Sequence, residues 1–574
     1  MRHHTKTWTF LLVLLAFTAG TVPVWSQQNQ ATKSSTIPSS SAEPTAPVQE
    51  LASADSSAAA ENSASAQDEK ATPTQETGAS RDNSELPTSP STANAAQENT
   101  AARHAEFDPA ATIAKPLWTV TRWIGDFNPI GNHVASPLES WIRGFRFKGY
   151  INNVSEVNTT STDHDYGLTH RNKDWRLQKQ EERVQAELRY QANEQLEFVS
   201  VNNFLFDGAY ALEVGQGAPT STPNTELYTQ GKRIFKEAYL RGNYGKINFT
   251  LGKQLVVWGK LDGKVIDIVN ADDERDGPQY RQGDYEWRDQ GQFMGLVSIR
   301  PRAKTNISFL WNPDFQTNVG AANGSPWSLF NYAPPAPGPG PEVIKPFGLA
   351  HIGQSEAGVR IDNSFGALTV SEIYYSGFNR GGPDPALVNG AYHFTRENKY
   401  GYSLDYGTNV HGQRFVFRSE GLFTQGQQYA DASAASGEVK KNPYLFGDAV
   451  ETSVGKDANK VDLMYEVEWV NIPGVGGAHT RQDLIHVLDA AHSFRSTSDR
   501  LNIEATFWVT KGGSNYGGWA AAYQTGWRFN DYIVASVSYN DYQGGSTPET
   551  LQSAAPFGAF RKWRNVETRI KYEF

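Results

Sequence analysis

Trp563-Arg564-Asn565-Val566-Glu567-Thr568-Arg569-Ile570-Lys571-Tyr572-Glu573-Phe574 alternates in character at every step. Side chains along a strand point to opposite faces in turn, so Val566, Thr568, Ile570, Tyr572 and Phe574 share one face while Asn565, Glu567, Arg569, Lys571 and Glu573 share the other. One face is apolar and closes on an aromatic ring; the other is charged. A strand of this kind suits a barrel with lipid outside and water inside.

The same period of two recurs upstream. Val184, Ala186, Leu188 and Tyr190 oppose Arg183, Gln185, Glu187 and Arg189, and the next strand starts after Ala192–Gln195. Ala238, Leu240 and Tyr244 turn at Gly245-Lys246 into Ile247, Phe249 and Leu251, a hairpin signal. Three later strands follow the pattern around Val461–Trp469, Leu501–Val509 and Ile533–Asn540, and weaker candidates lie near 145–157, 196–206, 291–312, 356–376, 399–424 and 517–529. Together they predict an all-β fold, a transmembrane antiparallel up-and-down β-barrel of about sixteen strands. The segment Asn471–Arg500 is too long for a periplasmic turn, so fourteen to eighteen strands stay open. Long connections (158–180, 207–233, 259–290, 313–355, 378–398, 425–457 and 542–561) alternate with short ones and belong outside the cell, leaving both termini periplasmic. A soluble β-sandwich would also alternate, but its dry core could not hold the charges on the second face. Aromatic residues on the other face (Trp311, Tyr400, Tyr402, Tyr406, Trp469, Trp519, Tyr523, Trp527 and Phe574) suit interfacial girdles.

Four regions follow. Residues 1–26 read as a secretory signal peptide: Arg2 and Lys6 precede an apolar run from Trp8 to Gly20, with Val24 and Ser26 suited to cleavage after Ser26. No later stretch reaches the ~18 uninterrupted apolar residues of a spanning helix. Residues 27–106 hold no aromatic side chain and are rich in Ser, Ala, Thr, Gln and Pro. That composition predicts a disordered periplasmic tether, since too little apolar surface is available to offset ordering. All but two of the 15 tryptophans, Trp8 and Trp25, come after Phe107. In residues 107–143, Ile113, Leu117, Val120 and Ile124 recur at helical spacing, predicting a short helix that caps the periplasmic mouth or tucks into the lumen as a plug. Residues 144–574 form the barrel, placed in the outer membrane of a Gram-negative-type bacterium.

Losing Arg2 and Lys6 with the signal takes the formal charge from −10 to −12, which suggests no nucleic-acid partner. Zero cysteines exclude thiol catalysis, thiolate metal sites and covalent haem attachment, so no cofactor is expected. The partners expected are membrane lipids, small solutes and, through the C-terminal strand, the outer-membrane assembly machinery; the oligomeric state stays open.

Inward-facing basic residues (Arg146, Lys148, Arg183, Arg189, Arg241, Arg418, Arg528, Arg569 and Lys571) crowd the first strands and the last, which meet at the barrel seam. Inward acidic residues such as Asp405, Asp462, Glu466, Glu468 and Glu504 crowd the opposite wall. This segregation predicts a field across the pore that orients dipolar solutes. The third long loop, Gly259–Gln290, is dense in charge, and Asp262, Asp267, Asn270, Asp272, Asp273, Arg275 and Asp276 are the candidates for a constriction if it folds inward. Asp272, Glu274, Asp276 and Gly277 loosely match a calcium loop, but Gly283 stands where the closing Glu belongs, so no metal site is assigned. Strict alternation from Ile247 aims Lys253 at lipid, at a cost of roughly 2 to 4 kcal/mol near the bilayer centre. A β-bulge at Gly252 is expected to swing it toward the lumen.

Glu237-Ala238-Tyr239-Leu240, the run Leu251-Gly252-Lys253-Gln254-Leu255-Val256-Val257-Trp258-Gly259 and Asp267-Ile268-Val269-Asn270-Ala271-Asp272-Asp273 resemble the bacterial outer-membrane barrels labelled domain of unknown function 1302. The resemblance covers residues 140–574, with Gly252, Lys253, Gln254, Trp258 and Gly259 as its motif. It implies a channel-like, porin-like protein and brings no catalytic residues.

The leading functional expectation is diffusion of small polar or charged solutes across the outer membrane. An outer-membrane enzyme is a second class, but His164, Asp165 and His170 in the first long loop lack a nucleophile, so no catalytic residues are assigned. A third class is a barrel sheathing a multihaem cytochrome or exporting a polymer. A lipid importer would need an apolar path through the lumen.

Overall fold

The computed structural model describes residues 109–159, 177–209, 234–261, 265–273, 285–319, 342–343, 354–380, 387–388, 391–430, 438–455, 460–473, 481–512, 517–544 and 564–574. The signal stretch, the tether and the trio His164, Asp165 and His170 lie outside the described residues, as do Asp262, Arg275 and Asp276 of the third loop.

Eighteen strands form one sheet. In chain order they are β1 (Phe145–Asn158), β2 (Leu177–Asn193), β3 (Leu196–Asp207), β4 (Phe235–Tyr244), β5 (Ile247–Gln254) and β6 (Gln292–Arg302). Next come β7 (Thr305–Asn312), β8 (Glu356–Phe365), β9 (Leu368–Phe378), β10 (Arg396–Val410), β11 (Gln413–Gln425) and β12 (Tyr444–Val454). The last six are β13 (Val461–Ile472), β14 (Arg481–Ser493), β15 (Leu501–Gly512), β16 (Gly517–Arg528), β17 (Ile533–Gly544) and β18 (Asn565–Glu573). Each strand pairs antiparallel with the next, and β18 closes on β1 from Tyr150↔Glu573 to Asn158↔Asn565. Closure removes every sheet edge, which lets a sheet cross a bilayer without unpaired backbone groups.

The count stands at the top of the expected range because two strands were hidden. β12 lies inside what reads as the external connection 425–457, and β14 inside the over-long segment 471–500. Each carries a polar residue where alternation calls for an apolar one. Asp448 of β12 shares the outer face with Phe446, and His486 of β14 shares it with Leu488, its Nδ1 bonded to the Tyr465 hydroxyl at 2.8 Å. Adding both strands reverses the direction expected of β13 and leaves a short periplasmic link at 494–500.

The outer face is apolar and uncovered. Val537, Tyr523, Leu488, Phe309 and Tyr400 all point outward and are exposed by 46% or more. A continuous belt of this kind would aggregate in water, so its solvent is lipid.

Helix α1 (Pro109–Ile124) neither caps the mouth nor enters the lumen, contrary to expectation. Its buried strip, Ala114, Leu117 and Trp118, packs on Leu501, Trp527 and Phe494. Trp118 meets Trp527 edge-on at 5.5 Å, and the Trp527 Nε1–H donates to the Thr121 hydroxyl at 2.9 Å. Leu501 and Trp527 belong to the outward register, so the helix lies against the outside of the barrel at its periplasmic rim. The chain then follows the rim through Asn128, whose Oδ1 accepts from the Tyr572 hydroxyl at 2.8 Å, and a short helix α2 (Ser136–Trp141), before Glu139 accepts the Phe147 amide at 2.9 Å. The reason is chemical: the apolar stripe finds apolar wall on the outside, whereas the lumen mouth offers charge.

The expected bulge at Gly252 is absent. Register runs unbroken through Ala238↔Lys253 and Lys253↔Phe293, so Lys253 keeps an outward position. Gly252 takes φ +135°, and a Cβ there would fall 2.4 Å from the Ala238 carbonyl oxygen. Its glycine serves close approach of two backbones. Lys253 is tolerable where it stands because it is the penultimate residue of β5 and its stem runs beside Gly291, letting the ammonium reach the membrane boundary.

Candidate functional site: the channel interior

Between β5 and β6 the chain turns into the barrel. Val256, Trp258, Leu261, Val265, Ile266, Ile268 and Val269 pack in one apolar cluster with inward side chains of the wall: Met294 of β6, Leu310 of β7, Ile373 and Tyr375 of β9, Leu422 of β11 and Ala449 of β12. A loop that is charged in sequence thus carries an apolar strip that docks it. Trp258 meets Tyr375 edge-on at 6.1 Å, and its carbonyl accepts from Arg360 Nη1 at 2.7 Å. Arg360 is itself held by Asp362 at 2.7 Å and Ser371 at 3.1 Å.

Further along, the Lys260 amide donates to Glu420 at 2.5 Å and its Nζ to Asp405 at 2.6 Å. Asn270 bonds both backbone groups of Val256 at 3.0 Å, closing the first limb of the loop on itself. The second limb runs to the far wall. The Asp272 amide donates to Asn318 Oδ1 at 3.1 Å, Asp272 lies 3.9 Å from Arg288, and the Trp287 Nε1–H donates to the Tyr150 hydroxyl at 2.8 Å. Arg183 of β2 sits over the Trp287 ring at 5.5 Å. The loop is therefore pinned to β8–β12 on one side and to β1–β2 on the other, spanning the lumen.

At the loop end of β8, Glu356 is fully buried and accepts from Asn312 Nδ2 at 2.8 Å, the Tyr375 hydroxyl at 2.9 Å and the Phe378 amide at 2.9 Å, with Arg380 as its counter-ion. Burial pulls the Arg380 pKa down, and the adjacent carboxylate more than reverses that, so it ends above its usual value. Arg380 also donates to the Gln316 carbonyl at 2.8 Å, which ties the loop around 313–319 to the same anchor.

All twelve pore-lining candidates hold the inward register. Lys148 lies 3.1 Å from Glu187, which also pairs Arg189. Arg241 pairs Glu197, Arg569 pairs Glu567, and Lys571 lies 2.7 Å from Glu573. Arg146 stands opposite Arg189 at the periplasmic end of β1, Asp462 accepts from the Ser453 hydroxyl at 2.5 Å, and Glu504 is half-buried. Three of the twelve do not face open lumen. Arg183 is buried beneath Trp287 and paired with Glu181 at 2.5 Å; Glu466 and Glu468 are buried on the wall the loop covers, where Leu261 and Val265 lie against Gly447. The inward-folded loop claims that surface.

The charges expected to segregate are largely offset by pairing within strands. Residues two apart share a face, so an opposite-charge pair at that spacing can bond along the strand. Glu181/Arg183, Glu187/Arg189, Arg360/Asp362, Glu397/Lys399 and Glu567/Arg569 all do so. The two partners of a pair differ in how far they reach into the lumen. Lys148 and Arg241 are 64% and 40% exposed on their side chains, whereas Glu187 and Glu197 are both 11% exposed. Cationic heads stand in the lumen with their carboxylates tucked beneath. On the opposite wall Asp405 and Glu451, at 28% and 34%, are more open than Arg418, which pairs both.

Sequence reading missed Arg360, Tyr375, Glu356, Arg380 and Trp287. A signal did exist for one: Trp258 and Trp287 are two tryptophans in or beside a charge-dense loop, and large aromatic side chains there point to burial.

No family model matches the chain, and no curated protein matches it. Solved structures with a similar trace are Pseudomonas aeruginosa OccK11 (OpdR), at 7% identity and a TM-score of 0.42, covering 75% of this chain and 96% of that one; Acinetobacter baumannii OccAB3, at 8% and 0.43, covering 75% and 100%; and Pseudomonas aeruginosa OpdK with vanillate, at 8% and 0.42, covering 75% and 99%. At identities this low the chemistry of the barrel interior has to be read from this chain's own residues.

Proposed function

We propose that this barrel is an outer-membrane channel through which small polar or charged solutes diffuse, with the loop between β5 and β6 as its constriction. The observation that carries the reading is that loop, anchored to both walls of a barrel whose outside suits lipid and whose inside is lined with ion pairs. Kinship with the domain of unknown function 1302 barrels belongs to the same proposal: its Gly252–Gly259 run is the segment that turns the chain inward, and Trp258 is the side chain that seats it.

Two of the alternatives fare worse. A crossing loop leaves little room for a cytochrome or a polymer to thread the lumen. The apolar residues of the inward cluster are sealed against one another at 8% exposure or less, so among the described residues that cluster is a core and offers no path for lipid.

Exposed cationic heads on β1 and β4 facing half-exposed carboxylates on β10 and β12 would orient dipolar solutes as they pass. Planar-bilayer recording of the purified chain tests this. Discrete conductance steps are expected, and Lys148→Glu should shift the reversal potential in a salt gradient toward cation preference. Absence of steps from heat-modifiable, folded protein would sink the channel reading.

A further inference from the structure

Helix α1 has three strips. Ala114, Leu117, Trp118 and Thr121 face the barrel. At 3.6 residues per turn, Val120 falls on one flank of that strip, Lys115 and Arg122 on the other, and Trp123 on the side away from the barrel next to Val120. Val120 and Trp123 are 42% and 53% exposed, and Trp141 further along the rim is 82% exposed. No described residue covers them. They continue the outward wall that holds Ile503 and Tyr523, because the helix rests on Leu501 and Trp527 of those same strands. The opposite flank is basic, and Arg500, stacked over Trp118 at 5.4 Å, adds charge at the same level.

We propose that residues 109–141 form a collar lying in the inner leaflet of the outer membrane, with Val120, Trp123 and Trp141 entering the acyl region and Lys115 and Arg122 at anionic phospholipid headgroups. A helix that is apolar on one flank and basic on the other, held parallel to the surface, has the form of an interfacial anchor. The barrel supplies the third side, so insertion needs only a modest apolar area of the helix's own. This rests on the barrel spanning a membrane, and its failure can be told apart from failure of that reading.

Because the chain contains no cysteine, single-cysteine variants carry a nitroxide cleanly. Val120→Cys, Trp123→Cys and Arg122→Cys alter exposed positions of α1, and Val537→Cys reports the lipid-facing wall. Each full-length variant is folded into vesicles of phosphatidylethanolamine and phosphatidylglycerol, and collision with oxygen is compared with collision with a water-soluble nickel chelate. The collar predicts oxygen-to-nickel ratios at 120 and 123 close to that at 537 and several-fold above that at 122. Ratios at 120 and 123 that match 122, with 537 still lipid-like, overturn the collar and leave the barrel standing. A water-like ratio at 537 overturns both.

Discussion

Trp258 seats the loop between β5 and β6, the proposed constriction, by apolar burial. It is 3% exposed, packs on Tyr375, and approaches Gly358 so closely that a Cβ there would lie 2.6 Å from its ring. Trp258→Ala should remove about 3 to 5 kcal/mol of loop docking, the usual cost of deleting a buried aromatic side chain. The expected result is a folded barrel with unchanged heat-modifiable migration and a larger, noisier single-channel conductance. Unchanged conductance in the folded variant would mean that the loop does not set the aperture. Of the candidates Asp267, Asn270, Asp272 and Asp273, Asn270 staples Val256 through its side chain, and the backbone amide of Asp272 joins the loop to Asn318. Charge drew attention to these positions, yet in a wet lumen apolar burial fixes where the loop sits.

Strand β5 shows where alternation is a sound guide and where it needs geometry. The rule aims Lys253 outward, and the register keeps it there, opposite Ala238 and Phe293. Lys253→Leu should therefore leave conductance unchanged and assembly yield equal or higher, read by bilayer recording and by the fraction of heat-modifiable protein. A clear conductance change with normal assembly would place the ammonium in the lumen after all. Strands β2, β4, β5, β15, β17 and β18 are legible because runs of apolar residues at alternate positions, such as Val184, Ala186, Leu188 and Tyr190, mark their outer faces. β12 and β14 are not, since Asp448 and His486 break the pattern, and only cross-strand partners such as Asp448↔Val467 and Val467↔His486 reveal them. The rim helix is legible as a helix from its 3.6-residue period, but the period cannot say which surface its stripe will meet.

Placing α1 on the outside wall has a consequence for the whole molecule. Helix α1 packs beside Leu501 and Trp527, away from the lumen mouth, so the proposed conducting path is expected not to depend on residues 27–106. Deleting residues 27–106 while keeping the signal stretch should leave unitary conductance and ion selectivity as they are; a rise in conductance on deletion would show that the segment enters the pore. Alternation, composition and the aromatic faces determined by themselves that this chain builds a membrane barrel with a charged interior, because the period of a strand and the contrast between lipid and water are local properties. The number of strands, the loop that crosses the lumen, the burial of Arg183, Glu466 and Glu468, and the side of the wall on which α1 lies were decided only in three dimensions. Each of these depends on contacts between residues far apart in the chain, Trp287 with Tyr150 and Trp118 with Trp527 among them, and no periodicity along the chain encodes which distant surfaces will meet.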